Sequence, residues 1–225
     1  IPMSSTYEIE IKSLLGTLDK AEELKQIIIA DGAKLIDTNS QLNHYFILHD
    51  KNELSSGLAE IIPTGKKEVF DKIITEGNKL SVRTRGVDGK TILVIKASLG
   101  TDSSANGVSR IEFEAEMPMT LDELDKKLIE AGLEYQAKWS RERQEYELDD
   151  MHICIDKNAG YGYLAEFESV ITDPTQVESK KQMLEDYMQK CGVGELSQDR
   201  LERMFSFYNE NWKDYYGTDN VFTIK

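Results

Sequence analysis

The sequence predicts an α+β protein in which an antiparallel sheet, curled or closed, carries helices on its outside. The first observation is that charged and apolar residues alternate in several segments, as they do in β-strands, where successive side chains point to opposite faces. In Tyr7–Lys12, for example, Glu8, Glu10 and Lys12 share one face. The alternation returns at Arg83/Arg85, Arg110–Glu116, Arg141/Arg143 and Glu166/Glu168. One charged strand face is typical of solvent exposure, but five, some acidic and some basic, indicate a charged interior.

The second observation is an internal pseudo-repeat. A Glu-x-Glu strand is followed by Thr17-Leu18-Asp19 and a helix ending at Gly32, and again by Thr120-Leu121-Asp122 and a helix ending at Gly132. Thr120 and Glu123 fit a capping box, and glycine is a common C-terminal stop. The pair Glu166 and Glu168 also precedes a helix, from about Pro174 to Gly192. The repeat therefore favours duplicated halves of one sheet.

The other elements follow from local patterns. An Asp88-Gly89 turn predicts a hairpin of Leu80–Arg85 and Thr91–Ala97. An insertion at about 50–78 contains one short helix, near Lys66–Thr75, and Gly100–Gly107 is a loop. Further strands are expected at Ala33–Thr38, His44–His49, Ser109–Met117, Lys138–Leu148, Met151–Lys157 and Tyr161–Val170. A helical C-terminal extension from about 193 packs on the outside, or closes a tunnel mouth.

Composition limits the class of protein. The chain of 225 residues, 40% hydrophobic and 30% charged, can form one large or two small domains. A net charge of -14 argues against nucleic-acid binding by phosphate neutralisation. We find neither a membrane-spanning run nor a signal peptide, so we expect a cytoplasmic protein without a membrane partner. Cys154 and Cys191 are interpreted as reduced thiols. The sequence does not decide the oligomeric state between monomer and homodimer.

A charged interior has chemical consequences. Unpaired buried charge is costly, so such a sheet would enclose a wet cavity whose ligands bring both charges. Divalent cations would satisfy the glutamates, and a polyphosphate would satisfy the arginines and lysines. Mg²⁺ binds one or two carboxylates together with water and phosphate oxygens. Arginine offers two-pronged donors to phosphate, and lysine a mobile point charge.

The N-terminal Glu8-x-Glu10-x-Lys12 resembles the signature of the CYTH superfamily, also called triphosphate tunnel metalloenzymes. That superfamily includes class IV adenylyl cyclases and thiamine or inorganic triphosphatases. The resemblance runs in order along the chain, through Leu42–Phe46, Ser81–Arg85, Ile92–Lys96, Arg110–Glu114, Lys138–Arg143, Asp156 and Glu166–Glu168. The insertion at about 50–78 and the tail beyond Gly192 are longer than the family pattern.

The resemblance implies a single domain over residues 1–225, built as a closed tunnel of eight antiparallel strands that holds a small-molecule triphosphate. Glu10 and Lys12 would be catalytic. The residues that would hold the phosphates are Lys12, Arg83, Arg85, Lys96, Arg141 and Arg143. The residues that would bind Mg²⁺ or Mn²⁺ are Glu8, Glu10, Glu112, Glu114, Glu166 and Glu168. Asp156 and Lys138 are further candidates, and Asp156 reads equally well as an ordinary acid at a hairpin end.

Three functions stay open at this point. A metal-dependent triphosphatase acting on inorganic, nucleoside or thiamine triphosphate is favoured over a cyclase for two reasons. No residue set marks an adenine pocket, and the His-Phe pair that some cyclase members carry upstream of the Glu-x-Glu-x-Lys signature is missing. The alternatives are a class IV adenylyl cyclase making cyclic AMP and pyrophosphate, and a non-catalytic polyphosphate-binding module.

His44, His49 and His152 lack metal-ligand spacing and are assigned to surface or packing. Gly160–Tyr163 is read as a turn.

Overall fold

Strands and helices alternate along the chain in the computed structural model, which describes residues 7–98 and 110–224. The strands are β1 (Tyr7–Gly16), β2 (Lys34–Ile47), β3 (Asn78–Val87), β4 (Lys90–Ser98), β5 (Arg110–Met117), β6 (Glu134–Leu148), β7 (Met151–Asn158) and β8 (Gly162–Ile171). The helices are α1 (Leu18–Ala30), α2 (Lys51–Leu58), α3 (Lys67–Glu76), α4 (Leu121–Glu130), α5 (Val177–Lys190) and α6 (Gln198–Asn211). The predicted loop at Gly100–Gly107 lies outside the described residues.

The strands form one antiparallel sheet of eight, in the order β1-β8-β7-β6-β2-β3-β4-β5. Hairpins join β3 to β4, β6 to β7 and β7 to β8, which gives the sheet its meander segments. The predicted α+β class with an eight-stranded antiparallel sheet is therefore confirmed. The strands β1 and β5 stand at the ends of this order, and closure of the sheet into a tunnel stays a prediction.

The chain divides into two compact units. Unit 1 comprises the described residues up to 40 together with those from 140 onward, and unit 2 comprises 41–98 and 110–139. The boundaries fall inside β2 and β6. A single domain over residues 1–225 stays a prediction.

In unit 1, α1 and α5 pack on one face of β1 and β8. Leu24 and Ile28 of α1 join Ile9, Ile11 and Phe167 of the strands in one buried core. Because strand side chains alternate, the charged residues of β1 and β8 must lie on the opposite face. We call this face, which carries Glu8, Glu10, Lys12, Arg141, Arg143, Glu145, His152, Cys154, Asp156, Glu166 and Glu168, the unit 1 charged face.

Unit 2 repeats the arrangement. The helix α4 begins at Thr120, whose side chain and Glu123 form the predicted capping box. Leu124 and Leu128 pack with Val82, Leu93, Ile95 and Phe113 of the strands. The opposite face of the sheet in this unit carries Asn43, Tyr45, Arg83, Arg85, Lys96, Glu112 and Glu114, and we call it the unit 2 charged face.

Two local predictions need correction. The segments Ala33–Thr38 and His44–His49 were expected to be separate strands, but β2 is continuous from Lys34 to Ile47. Polar Asn39 and Gln41 broke the apolar pattern, yet both are buried within the strand. The insertion at about 50–78 holds a second helix, α2, capped by Asp50 and anchored by buried Leu54 and Leu58. A short segment with Ser55-Ser56-Gly57 gave little helical signal.

The C-terminal extension packs on unit 1. Buried Tyr208 of α6 stacks edge-on against Tyr161, in the turn between β7 and β8. The amide of Phe222 donates to the Gly160 carbonyl (2.8 Å), so the last residues continue the contact. The extension therefore covers the β7–β8 turn, and a role at a tunnel mouth stays a prediction. Among the described helices, none combines the length and apolar character that crossing a bilayer requires.

Candidate functional site

Two glutamates face each other on the unit 1 charged face. In the register of β1 and β8, Glu10 is directly opposite Glu168, and Lys12 is directly opposite Glu166. Side chains of directly opposed residues start about 4.5–5.5 Å apart, and like charges in such positions repel. The Lys12 ammonium contacts Glu10 and lies 3.0 Å from Glu166. This strand pair therefore concentrates negative charge that one lysine only partly offsets.

Glu166 is the centre of a buried ionic network. Besides Lys12, it accepts a hydrogen bond from Nη2 of Arg143, and its side chain is 18% exposed. Burial by itself would raise the pKa of Glu166, but the charges of Lys12, Arg143 and Arg141 outweigh it and hold the pKa well below the usual range. Glu166 is therefore a fixed negative charge at neutral pH.

Asp156 orients two arginines. Arg143 donates to both of its oxygens, from Nε to Oδ1 (2.7 Å) and from Nη2 to Oδ2 (2.6 Å). Arg141 adds a hydrogen bond from Nη1 to Oδ2 (3.2 Å). Burial alone would lower the pKa of Arg143, but the hydrogen bonds to Asp156 and the negative charge of Glu166 outweigh burial and raise the pKa. Asp156 is 1% exposed and lies within β7 on the unit 1 charged face, and its role as a site residue stays a prediction.

On the unit 2 charged face, Arg83 has the most constrained environment. Its Nη1 donates to the hydroxyl oxygen of Tyr45 (2.8 Å), and the guanidinium lies over the Tyr45 ring. Burial alone would lower the pKa of Arg83, but the interactions with Tyr45, Glu112 and Glu114 outweigh burial and raise the pKa. Within the described residues, its Nε is buried and has no hydrogen-bond partner. An unused buried donor is costly, so Arg83 has capacity for an acceptor such as a phosphate oxygen.

The remaining unit 2 charges form looser pairs. Arg85 donates from Nε to Asn43 (3.1 Å) and from Nη1 to Glu114 (3.4 Å). The ammonium of Lys96 lies 3.3 Å from Glu112, its direct partner across β4 and β5. The two glutamates of these pairs are more than a third exposed, at 36% for Glu112 and 46% for Glu114.

Lys138 points to a different place from the other candidate residues. Its ammonium lies 3.9 Å from Asp125 of α4 and 4.3 Å from the centre of the Tyr135 ring. Buried Asp125 also binds His44 (2.6 Å) and Thr84 (2.6 Å) on the helix side of unit 2. Burial alone would raise the pKa of Asp125, but the hydrogen bonds from His44, Thr84 and Tyr135 lower it. Lys138 thus belongs to a cluster that holds α4 to the sheet.

The candidate residues therefore fall into separate groups. Direct contacts on unit 1 join Glu10, Lys12, Arg141, Arg143, Asp156 and Glu166, and Glu168 lies opposite Glu10. Glu8 is exposed, opposite Val170. On the unit 2 charged face, Arg83, Arg85, Lys96, Glu112 and Glu114 make the second group.

Sequence reasoning missed one group on the unit 1 charged face. Glu145, His152 and Cys154 lie together, with ligand atoms all within 4.8 Å of one another. Burial raises the pKa of Cys154 to about 12, so its thiol is neutral. The His-x-Cys spacing on a strand was the available signal, because residues two apart share a face.

Carboxylate groups outnumber the basic ones on the unit 1 charged face, and hard cations such as Mg²⁺ and Mn²⁺ prefer oxygen ligands. The opposed pair Glu10 and Glu168 fits such an ion, because a cation between them would remove their repulsion. Lys12 contacts both Glu10 and Glu166, and Arg143 contacts Glu166 as well, so an ion at either carboxylate would share it with a cationic side chain.

The fold is an α+β protein with one antiparallel sheet, and each unit carries acidic and basic side chains on the sheet face opposite its helices. The CYTH domain model matches residues 73–201, more than half of the chain, and the chain belongs to this family. The match begins after β1, so Glu8, Glu10 and Lys12 lie outside it. A comparison with curated proteins finds no match.

Solved structures share the fold at low sequence identity. The PH1012 protein of Pyrococcus horikoshii is 18% identical with a TM-score of 0.57, covering 86% of this chain and 93% of that chain. An adenylate cyclase candidate of Vibrio parahaemolyticus is 14% identical with a TM-score of 0.59, covering 89% and 98%. An adenylyl cyclase candidate of Hippeastrum, described as having a dominant triphosphatase activity, is 16% identical with a TM-score of 0.52, covering 88% and 95%. These likenesses establish the fold.

Proposed function

We propose that the protein is a divalent-metal-dependent phosphohydrolase acting on a triphosphate. The observation that carries the proposal is the β1–β8 register, which sets Glu10 against Glu168 beside the Lys12–Glu166–Arg143 network. Opposed carboxylates suit a cation, and the neighbouring cationic side chains suit the phosphate oxygens that such a cation would accompany. Membership of the CYTH family supports the same class of substrate.

The basic side chains of unit 1 would bind and orient the phosphates. Asp156 holds the guanidinium groups of Arg141 and Arg143 in place, so little side-chain entropy is lost when they meet an anion. Lys12 offers a point charge next to Glu10 and Glu166. Donors fixed in this way stabilise charge that develops in a transition state, by about 3–4 kcal/mol for each well-placed group.

The unit 2 charged face offers donors of the same type. Arg83 brings a buried Nε without a partner in the described part of the chain, and Arg85 and Lys96 are held by Asn43 and Glu112. The family resemblance assigns all three basic residues to the triphosphate. The loose pairs they make with Glu112 and Glu114 support this role, because the cations can shift toward a phosphate at small cost.

Glu8, Glu10 and Glu168 would hold Mg²⁺ or Mn²⁺ on unit 1, and Glu112 and Glu114 are the corresponding candidates on unit 2. When bound, the metal would offset the negative charge of the phosphate oxygens. The electrostatic work of the chain itself falls to its arginines and lysines. Glu166 would keep Lys12 and Arg143 in position.

The test compares Glu10→Gln with the control Glu23→Gln, which changes an exposed residue of α1. Tripolyphosphate, thiamine triphosphate and ATP are supplied with Mg²⁺ or Mn²⁺, and phosphate, pyrophosphate and cyclic AMP are measured. We expect wild type to release phosphate, Glu10→Gln to lose turnover with an unchanged unfolding curve, and Glu23→Gln to behave as wild type. Unchanged hydrolysis by Glu10→Gln would remove Glu10 from the metal role.

The same assay separates the other two functions. Cyclic AMP with pyrophosphate from ATP would identify an adenylyl cyclase, which uses the same phosphate contacts with the ribose hydroxyl as nucleophile. Tight binding of tripolyphosphate without any product would identify a non-catalytic binding module. Either result would overturn the phosphohydrolase proposal.

A further inference from the structure

Three side chains of different chemistry meet on the unit 1 charged face. Cys154 of β7 is directly opposite Glu145 of β6, and His152 lies two residues before Cys154 on the same strand face. Their ligand atoms all lie within 4.8 Å of one another. The sequence separates Glu145 from the other two by a hairpin turn, so only the β6–β7 register brings the set together.

The two short distances in this cluster involve different ring nitrogens of His152, and an ion takes only one of them. Nε2 of His152 lies 3.3 Å from Oε2 of Glu145, and Sγ of Cys154 lies 3.9 Å from Nδ1 of His152. Zinc bonds of about 2.0–2.1 Å to nitrogen or oxygen and about 2.3 Å to sulfur place tetrahedral ligand atoms roughly 3.3–3.6 Å apart. One nitrogen, one sulfur and one carboxylate oxygen lie within 4.8 Å of one another here, so side-chain rotation on binding would have to shorten the spacing by up to about 1.5 Å.

We propose that Glu145, His152 and Cys154 form a binding site for Zn²⁺ or a similar borderline-soft divalent cation. A nitrogen, a thiolate sulfur and one carboxylate oxygen select such ions over Mg²⁺, which prefers oxygen alone. The site is thus chemically distinct from the carboxylate pair Glu10 and Glu168 and does not depend on the proposed hydrolysis. On binding, the Cys154 thiol gives up its proton to solvent and becomes a thiolate ligand.

The coordination set leaves one position open. Three protein ligands with a fourth position for water or another small ligand are the arrangement of zinc sites that exchange ligands. Cys154 is 3% exposed, which places the thiolate at the closed end of the site. Glu145 and His152 are 20% and 33% exposed, so the fourth position faces solvent.

Asn39 supplies an outer contact of the kind that metal sites use. Its amide nitrogen donates to Oε1 of Glu145 (3.4 Å) and to Oδ2 of Asp37 (2.7 Å). Because Oε1 is held by Asn39, Oε2 is the oxygen turned toward His152. Such outer partners orient a ligand, and their loss costs about 10–100-fold in metal affinity.

The test uses Co²⁺ as an optical probe and Zn²⁺ as competitor, with the full chain. In excess Mg²⁺, which would fill the carboxylate site, we expect one Co²⁺ per chain and a thiolate-to-cobalt charge-transfer band that Zn²⁺ abolishes. Cys154→Ser should lose the band, and His152→Ala should weaken Zn²⁺ binding by at least about tenfold in calorimetry. The matched controls Cys191→Ser and His49→Ala should bind as wild type.

A milder variant keeps the test decisive if a ligand substitution disturbs folding. Asn39→Ala keeps all three ligands and should weaken Zn²⁺ by about tenfold or more. Absence of the charge-transfer band in wild type, or its survival in Cys154→Ser, would overturn the proposal. So would equal Zn²⁺ affinity in wild type, His152→Ala and Asn39→Ala.

Discussion

The charged faces of the two units have similar residue types but different burial. On unit 1, Glu166, Arg143 and Asp156 are 18%, 12% and 1% exposed, and their contacts are short and two-pronged. On unit 2, Glu114 is 46% exposed and meets Arg85 at 3.4 Å. Removing a partner from a buried ionic network is costly, whereas exposed pairs contribute little. We therefore expect substitutions inside the buried unit 1 network to cost more stability than substitutions in the exposed Arg85–Glu114 pair of unit 2.

The largest expected effect comes from Glu166→Gln. This change leaves Lys12 and Arg143 with one acceptor fewer in a buried network, and we expect a loss of about 3 kcal/mol in the free energy of unfolding. Urea denaturation followed by circular dichroism measures it. The control Glu142→Gln, on an exposed residue of β6, should cost about 0.5 kcal/mol or less. Equal stability of the two variants would break the comparison.

Asp125→Asn tests whether the buried polar contacts between α4 and the sheet, and not the charged face, stabilise unit 2. Asp125 accepts hydrogen bonds from His44, Thr84 and Tyr135, and an amide in its place cannot accept all three. We expect a loss of about 2 kcal/mol, measured by urea denaturation. Asp122→Asn, in the exposed first turn of the same helix, should cost only about 0.3–1 kcal/mol. A similar loss in both variants would contradict the assignment.

Acid should weaken the fold through the same two carboxylates. The pKa values of Glu166 and Asp125 are lowered in the folded protein, so their contribution is complete above the unfolded values of about 4 and is lost as pH falls toward the folded values. In that range, stability should fall by up to about 1.4 kcal/mol per pH unit for each group. Urea denaturation at several pH values measures this slope.

The variants provide the control for the acid experiment. Glu166→Gln and Asp125→Asn each remove one titrating group, so each should show a shallower slope than wild type below pH about 4. A slope that is identical in all three proteins would show that other carboxylates govern acid unfolding.

The smallest effect on stability is expected from Glu114→Gln. The pair with Arg85 is exposed, so the free energy of unfolding should change by about 0.5 kcal/mol or less. Under the proposed function, the same variant should lower triphosphate hydrolysis. Glu116→Gln, two residues further along β5, is the matched control for both measurements. A large loss of stability in Glu114→Gln would show that the unit 2 face is structural as well.

The sequence predicted most strands and helices because their patterns are local. The capping box at Thr120 and Glu123 forms as expected, and the charges of β1 and β8 lie opposite the apolar core. The continuous β2 and the helix α2 were missed because Asn39 and Gln41, and the serines of α2, read as loop residues. Burial by neighbouring strands and helices overrides such weak local signals.

What the sequence determined by itself is which residues share a strand face, because alternation is a property of one strand. That property is enough to place Glu8, Glu10 and Lys12 on one face of β1 and the apolar core residues on the other. Only the tertiary structure decided which residues meet across strands, because register depends on packing and turns. The pairing of Glu10 with Glu168, the position of Lys138 beside Asp125, and the meeting of Cys154 with Glu145 all belong to this second kind.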